Sequence, residues 1–154
     1  MAEKSVVVVG GFALALDRRY QAETHMWVLE LGGRHVRIGM DPLGIETSGS
    51  LAQLSLEPVR AQLVADRPFG QLEAAKFVGP LVSPVTGTVL AVNHAVIANA
   101  DVLERDPYGE GWLIEAALGD GSAGLEDLLS DPAELTAWFA AKIAGYRLRG
   151  VIAE

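Results

Sequence analysis

The chain has 154 residues, 12 of them basic and 20 acidic, so its formal net charge at pH 7 is −8. This balance argues against a nucleic-acid partner or an anionic membrane surface, because both attract basic patches. The sequence contains no cysteine, which excludes a disulfide framework, thiolate metal sites and dithiol chemistry of the chain's own. Half of the residues are hydrophobic, and 17 glycines and 7 prolines divide them into short runs, which is typical of a turn-rich β protein.

The N-terminal stretch, residues 1–19, predicts one strand or a pair of strands. It contains the pattern Ala13-x-Ala15 of a signal-peptide cleavage site, but its first residues are neutral overall and Gly10-Gly11 interrupt the apolar run. No run approaches the roughly 20 apolar residues of a membrane span. We therefore predict a cytoplasmic protein with no membrane partner.

Short strand-like runs follow, separated by turn signals. Residues 25–31 and 34–40 flank Gly32-Gly33 and predict a β-hairpin. Residues 41–50 predict a loop with at most a short helical turn, and residues 58–66 fit either a strand or a helical turn. Further strands are predicted for residues 51–56, 69–74, 77–82, 88–92 and 111–118.

Two segments predict helices. Residues 95–107 predict one short internal helix with Asn93 as its N-cap. Residues 130–150 predict a C-terminal helix, because Ser130 or Asp131 can cap it and Pro132 suits its first turn. An apolar face of this helix is expected to pack on the β body; it comprises Leu135, Trp138, Phe139, Ile143 and Tyr146.

These elements predict a mainly β fold of short antiparallel strands, one internal short helix and a C-terminal helix. We assign residues 1–154 to a single domain, with a β core over about residues 5–118 and the helix over about residues 130–147. The three histidines, His25, His35 and His94, have no metal-ligand spacing and are predicted to be packing or surface residues.

Lys76 stands between two predicted strands and is one of only three lysines in the chain. A lysine at a hairpin tip is most often an ordinary solvated residue. Here the residues around the lysine resemble a motif of a known protein family. Glu73-Ala74-Ala75-Lys76, followed by Ser83-Pro84-Val85-Thr86-Gly87, resembles the lipoylation motif of the glycine cleavage system H proteins, Glu-Ser-x-Lys followed at the same spacing by Ser-Pro-x-Ser/Thr-Gly.

Three other segments resemble that family in the same order. Residues 106–114, DPYGEGWLI, match its C-terminal signature, in which Tyr108 and Trp112 pack the core. Residues 24–28, THMWV, resemble its Thr/Ser-His-Glu-Trp-Val, and residues 67–70, RPFG, resemble its Glu-Pro-Phe-Gly. The resemblance covers about residues 20–145.

The resemblance implies a lipoyl-type barrel-sandwich hybrid and a non-catalytic carrier, with lipoate bound covalently to Lys76. A lipoate-protein ligase or lipoyl transferase would attach the group, and Glu73 would help that enzyme to recognise the hairpin, although it is equally interpreted as a solvated turn carboxylate. The modified side chain would reach roughly 15 Å, which suits transport between separate enzymes. Biotin carriers place methionine on both sides of their lysine, whereas this chain has Ala75 and Phe77.

The sequence departs from the family at residues that matter for its cargo. Carboxylates that help to hold the cationic aminomethyl cargo in a surface cleft are replaced by Met26 and Pro80, and two usual turn glycines are replaced by Arg60 and Asp66. The family's Leu-Gly-Asp is replaced around residues 48–50, Ser-Gly-Ser. A cationic cargo would lose its ion partners in such a neutral cleft.

Four functions are therefore weighed. The favoured hypothesis is an H-protein-like lipoate-binding protein that carries sulfur intermediates for a heterodisulfide-reductase-like complex in sulfur oxidation. The main alternative is a glycine cleavage H protein carrying the aminomethyl group. A lipoyl donor in lipoate assembly and an unmodified interaction module are alternatives of other classes.

Overall fold

The computed structural model describes residues 5–120 and 124–153. Within these ranges the strands are β1 (Val6–Val9), β2 (Phe12–Ala15), β3 (Arg19–Gln21), β4 (Met26–Gly32), β5 (His35–Met40), β6 (Leu51–Leu56), β7 (Gln62–Leu63), β8 (Pro68–Ala74), β9 (Val78–Val82), β10 (Gly87–Val92) and β11 (Ile114–Leu118). The α-helices are α1 (Pro42–Ser48), α2 (His94–Ala98), α3 (Asp101–Arg105) and α4 (Pro132–Leu148). The mainly β fold class is confirmed.

The strands form three antiparallel sheets in the described part of the chain. The largest has the order β3-β4-β5-β11-β10-β7, the second has the order β6-β8-β9, and β1 pairs with β2. Apolar side chains of the first two sheets meet in one core, which includes Val28, Ile38, Leu72 and Leu81. The β8–β9 hairpin of the three-stranded sheet carries Lys76 in its connection.

The predicted hairpin at Gly32-Gly33 and the predicted N-terminal strand pair are both present, as β4–β5 and β1–β2. The ambiguous segment 58–66 contains only the short strand β7. Arg60 and Asp66, which replace two usual turn glycines, both have positive φ angles, +81° and +69°. The turns therefore keep the left-handed backbone that glycine adopts most readily.

The prediction of a single short internal helix was wrong in number, because the described residues contain three. Asp41 caps α1 by accepting a hydrogen bond from the Gly44 N–H at 2.8 Å, and Pro42 follows at the first helical position. Asn93 caps α2 as predicted, but that helix ends at Ala98, with Asn99 as its C-cap, and a separate short helix, α3, follows. The assignment of residues 1–154 to a single domain stays a prediction.

Helix α4 packs over a second apolar cluster. Asp131 accepts a hydrogen bond from the Glu134 N–H at 3.0 Å and starts the helix, with Pro132 in its first turn. On the helix, Leu135, Phe139 and Ile143 are buried against side chains that include Leu14, Tyr20 and Trp27. Tyr108 and Trp112 also pack against this cluster, as the resemblance implied. None of the described helices is long and apolar enough to cross a membrane.

Two tyrosines of this cluster, the buried Tyr20 and the partly buried Tyr108, make the stability of the fold sensitive to high pH. Burial, and then the neighbouring Tyr108, raises the pKa of Tyr20 far above its ordinary value, while burial and then the Asp41 carboxylate raise the pKa of Tyr108. The unfolded chain ionises both phenols near pH ~10, whereas the folded chain keeps them protonated. The two tyrosines therefore make their full contribution to the stability of the folded chain below pH ~10, and this contribution is lost as the pH rises above that value.

We expect the free energy of unfolding to fall above pH ~10 by up to about 1.4 kcal/mol per pH unit for each tyrosine. Denaturant titrations across that range measure the slope. The double variant Tyr20→Phe/Tyr108→Phe should show a shallower fall, and an unchanged slope in that variant would contradict the assignment.

Candidate functional site

Lys76 lies in the three-residue connection between β8 and β9, as the sequence predicted. Its side chain is exposed. The Ala74 N–H donates to the Phe77 carbonyl at 2.8 Å and closes the turn. Phe77 and Val78 beside it are also exposed, so the tip presents one cation flanked by apolar surface.

The backbone of this tip is fixed to the segment between α1 and β6. The Lys76 N–H donates to the Ser48 carbonyl, and the Ala75 N–H donates to the Ser50 carbonyl, both at 2.8 Å. Gly49 lies between the two acceptors with a φ angle of +81°, and a Cβ there would lie 3.0 Å from the Lys76 Cγ. The glycine thus permits both the left-handed turn and the close approach of the lysine.

Gly49→Ala is expected to destabilise the protein by about 1–3 kcal/mol, because alanine is strained at this φ angle and its methyl group crowds Lys76. Thermal unfolding measures the loss. The matched control is Gly145→Ala in α4, where a Cβ meets nothing within 4 Å and helix propensity favours alanine. A Gly49 variant as stable as the Gly145 variant would contradict this account.

Glu73 is exposed on β8, three residues before Lys76. Its carboxylate accepts a hydrogen bond from the Gln53 side-chain amide of the neighbouring strand at 2.8 Å. The contact gives the carboxylate a defined position on the same hairpin as Lys76. A role for Glu73 in recognition by a lipoylating enzyme stays a prediction.

A cleft of about 360 Å³ lies next to the hairpin tip. Phe77, the residue that follows Lys76 in the sequence, lines the cleft. Ser48, whose carbonyl accepts a hydrogen bond from the Lys76 N–H, also lines it. Most of its surface is apolar, and the apolar lining comprises Met26, Met40, Phe77, Pro80, Leu81 and Val82. Met26 and Pro80, the two positions that lack the family's carboxylates, therefore both face this cleft.

A hydrogen-bonded chain extends from the buried Asp41 to the cleft through His25 and Tyr146, which both line the cleft. His25 Nδ1 lies 2.9 Å from the Asp41 carboxylate, and His25 Nε2 lies 3.0 Å from the Tyr146 hydroxyl. Asp41 is fully buried, and His25 is nearly so. Because a carboxylate only accepts, Nδ1 is the ring nitrogen that donates to Asp41, and Nε2 shares a hydrogen bond with the Tyr146 hydroxyl.

Tyr146 comes from helix α4 and Glu23 from the β3–β4 connection, and both line the cleft. Burial, with a smaller contribution from the Asp41 and Glu23 carboxylates, raises the pKa of Tyr146 and keeps its hydroxyl protonated. The sequence analysis did not identify either residue as part of a cleft, and it predicted Tyr146 only as a member of the apolar face of α4. Tyr146 reaches the cleft through its hydrogen bond with His25, 121 positions away in the sequence.

The other two histidines, His35 and His94, are exposed, in agreement with their predicted surface role. No group of three or more potential metal ligands occurs among the described residues.

Comparisons with known proteins agree with this geometry. The family model described as glycine cleavage H-protein matches residues 18–137. The glycine cleavage system H protein of Mycobacterium avium (strain 104) is 38% identical over 107 residues, which are 70% of this chain and 80% of that protein. The chain belongs to the glycine cleavage H-protein family.

Further relatives support the membership. The glycine cleavage system H protein of Corynebacterium jeikeium (strain K411) is 36% identical over 117 residues, covering 74% of this chain and 91% of that protein. The crystal structure of a glycine cleavage system H protein from Mycobacterium marinum aligns with a TM-score of 0.70 and 27% identity, covering 80% of this chain and 97% of that one.

Proteins of the glycine cleavage H-protein family are non-catalytic carriers with lipoate attached covalently to a lysine. The residues present fit such a group, because Lys76 offers an exposed amine on a hydrogen-bonded tip and the adjoining cleft has an apolar lining. The family match ends at residue 137, so the part of α4 that carries Tyr146 lies beyond it.

Proposed function

We propose that this H-protein family member carries lipoate on Lys76 and transports the aminomethyl group of glycine between the enzymes of glycine cleavage. The proposal rests on the exposed position of Lys76 at the β8–β9 tip, in a chain that matches the family over residues 18–137. The bound lipoyl group would supply the sulfur atoms to which the cargo is attached. The cytoplasmic location expected from the sequence stays a prediction.

The chain's own residues would present and orient that group. The backbone hydrogen bonds to Ser48 and Ser50 hold the attachment point in place. The apolar surface of Phe77 and Val78 would contact a lipoate-protein ligase or lipoyl transferase, with Glu73 beside it. The cleft next to the tip would shelter the cargo from water between transfers.

The sulfur-oxidation hypothesis receives no support from the comparisons, because the relatives named above are glycine cleavage H proteins. The main argument for the sulfur-oxidation hypothesis was that the cleft carries no charge. The argument is weakened, because Glu23 lines the same cleft as Met26 and Pro80. The substitutions at Met26 and Pro80 therefore remove two carboxylates from a cleft that has a third.

The cargo can be tested by loading the lipoylated chain with purified glycine decarboxylase and glycine, with the Lys76→Arg variant as control. We expect the intact mass to rise by one aminomethyl group on the lipoylated protein and to stay constant for the variant. Parallel incubation with an inorganic polysulfide tests the alternative. If the mass does not increase with glycine but increases by stably bound sulfur after incubation with polysulfide, the proposal would be overturned in favour of a sulfur carrier.

A further inference from the structure

The hairpin of β1 and β2 precedes the part of the chain that the family model matches, which begins at residue 18. One face of β1 carries Val7 and Val9, which pack against the apolar cluster that α4 also joins. Side chains alternate along a strand, so the opposite face carries Val6 and Val8, which are 41% and 73% exposed. Strand β1 thus consists of four valines, and alternate side chains lie in solvent.

The backbone of β1 has an outer edge that does not pair with β2. The Leu16 N–H donates to the Ser5 carbonyl, so these two residues form a hydrogen-bonded pair at one end of the ladder. Hydrogen-bonded and non-hydrogen-bonded pairs alternate along an antiparallel ladder. Val6 and Val8 occupy non-hydrogen-bonded positions and therefore point their N–H and C=O groups away from β2.

The two outer edges of this hairpin differ in their hydrogen bonds. On the β2 edge, the carbonyls of Ala13 and Ala15 accept hydrogen bonds from the hydroxyls of Tyr108 and Tyr20. These two alanines lie opposite the outward-pointing valines, in agreement with the direction of their backbone groups. On the β1 edge, none of the described residues forms a hydrogen bond with the outward groups of those valines.

The edges of the other two sheets are protected against pairing with another chain. Edge strand β9 contains Pro80, edge strand β6 has a register shift between Leu51 and Gln53, and edge strand β7 has only two residues. At the remaining edge, β3 is bridged to Leu129. Prolines, bulges and short strands are the devices that prevent edge pairing, and β1 has none of them and no charged residue.

We propose that β1 pairs with β1 of a second copy of this chain, across a two-fold axis at Val7. In this antiparallel register, Val6 of each copy lies opposite Val8 of the other, and each pair exchanges both of its N–H···O bonds. This symmetric register satisfies the outward groups of both valines within the strand. The two hairpins then form one continuous sheet, in which the exposed valines meet as cross-strand pairs.

The chemistry of β1 favours a second copy over a partner of another kind. A run of valines is self-complementary, because an antiparallel copy places a β-branched side chain beside each exposed valine. A charged partner segment would find no ion partner on this strand. The inference does not depend on the proposed attachment of lipoate.

The small size of the contact predicts a weak dimer. Four paired residues extend over only about 13 Å at ~3.3 Å per residue, and such a contact falls well below the roughly 1,200 Å² of a stable interface. Each copy also carries a net charge of −8, so the two copies repel each other. Added salt should therefore strengthen the association by screening this repulsion.

Sedimentation velocity of the full-length chain from ~10 μM to ~1 mM measures the association. We expect the sedimentation coefficient to rise toward that of a dimer over this range, and to rise further when NaCl is increased from ~20 mM to ~300 mM. Amide hydrogen exchange of the unmodified sequence gives a second readout, in which Val6 and Val8 should become protected at the high concentration. Lys76→Arg should dimerise like the wild-type chain.

Val8→Pro tests the strand pairing itself. The variant removes an outward N–H from each copy but none of the hydrogen bonds to β2, so it should raise the dissociation constant at least about tenfold. Val8→Thr is the matched control, because threonine keeps the N–H and the β-branched shape; we expect its dissociation constant to stay within about threefold of wild type. Circular dichroism and thermal unfolding verify that both variants are folded.

Three results would overturn the inference. The first is a monomer at every concentration, or equally fast exchange of the Val6 and Val8 amides at low and high concentration. The second is a folded Val8→Pro variant that dimerises as tightly as wild type, which would place the contact elsewhere. The third is an equal loss in Val8→Pro and Val8→Thr, which would show that side-chain contact and not strand pairing joins the copies. Each of these leaves the carrier function of Lys76 intact.

Discussion

Lys76→Arg is expected to abolish lipoylation completely. Attachment of lipoate needs an amine that can become a neutral nucleophile and form an amide, whereas a guanidinium group stays charged in proteins. The arginine keeps the positive charge and the length of the side chain at an exposed position, so the fold should be unchanged. The intact mass of the variant, measured after co-expression with a lipoate-protein ligase in medium that contains lipoate, shows whether a lipoyl group was attached.

The matched control is Lys142→Arg on helix α4, which makes the same chemical change away from the hairpin tip. We expect this variant to gain one lipoyl group, as the wild-type chain does. A lipoyl increment on the Lys76 variant would place the attachment site elsewhere. No increment on the wild-type chain would favour the unmodified interaction module.

Phe139→Ala is expected to lower the free energy of unfolding by about 3–5 kcal/mol, the range for truncating a fully buried phenylalanine. The Phe139 side chain is completely buried in the cluster that joins α4 to the N-terminal hairpin and the large sheet. Its removal leaves a cavity that the surrounding side chains fill only in part. Denaturant unfolding monitored by circular dichroism measures the change.

Leu148→Ala on the same helix is the matched control, because that leucine is 89% exposed. We expect this change to stay within about 0.5 kcal/mol of wild type. Loss of α4 packing in Phe139→Ala should also loosen the Tyr146 side of the cleft, which NMR contacts between Tyr146 and His25 can monitor. Equal stabilities for the two variants would show that α4 does not depend on this cluster.

The charge of the cleft differs from the one predicted from the sequence, because the folded chain adds the Glu23 carboxylate to its lining. In the sequence, Met26 and Pro80 replace the carboxylates of the family, and this predicted a neutral cleft. Glu23 lies on the β3–β4 connection, one residue before the THMWV segment and outside the residues that resemble the family motif. Folding places it on the same surface as Met26 and Pro80, so the net charge of the cleft depends on tertiary structure.

The sequence by itself determined most of the strands, the hairpin at Gly32-Gly33, the caps of α2 and α4, and the position of Lys76 between two strands. It did not predict β3, and it left the segment of β7 ambiguous. The predicted features depend on alternation, turn residues and caps, which act over a few neighbouring residues. Helix α1 was predicted only as a short helical turn within a loop, because its cap, Asp41, has the sequence context of an ordinary turn residue before Pro42.

Only the tertiary structure decided which distant side chains share the cleft. His25 and Tyr146 are 121 positions apart, and their hydrogen bond exists because α4 packs on the cluster around Trp27 and Tyr20. Local propensity contains no information about such pairings, since they depend on how apolar faces are buried together. The position of Lys76 between two strands could therefore be predicted from the sequence, whereas the residues that line the cleft beside it required the folded protein.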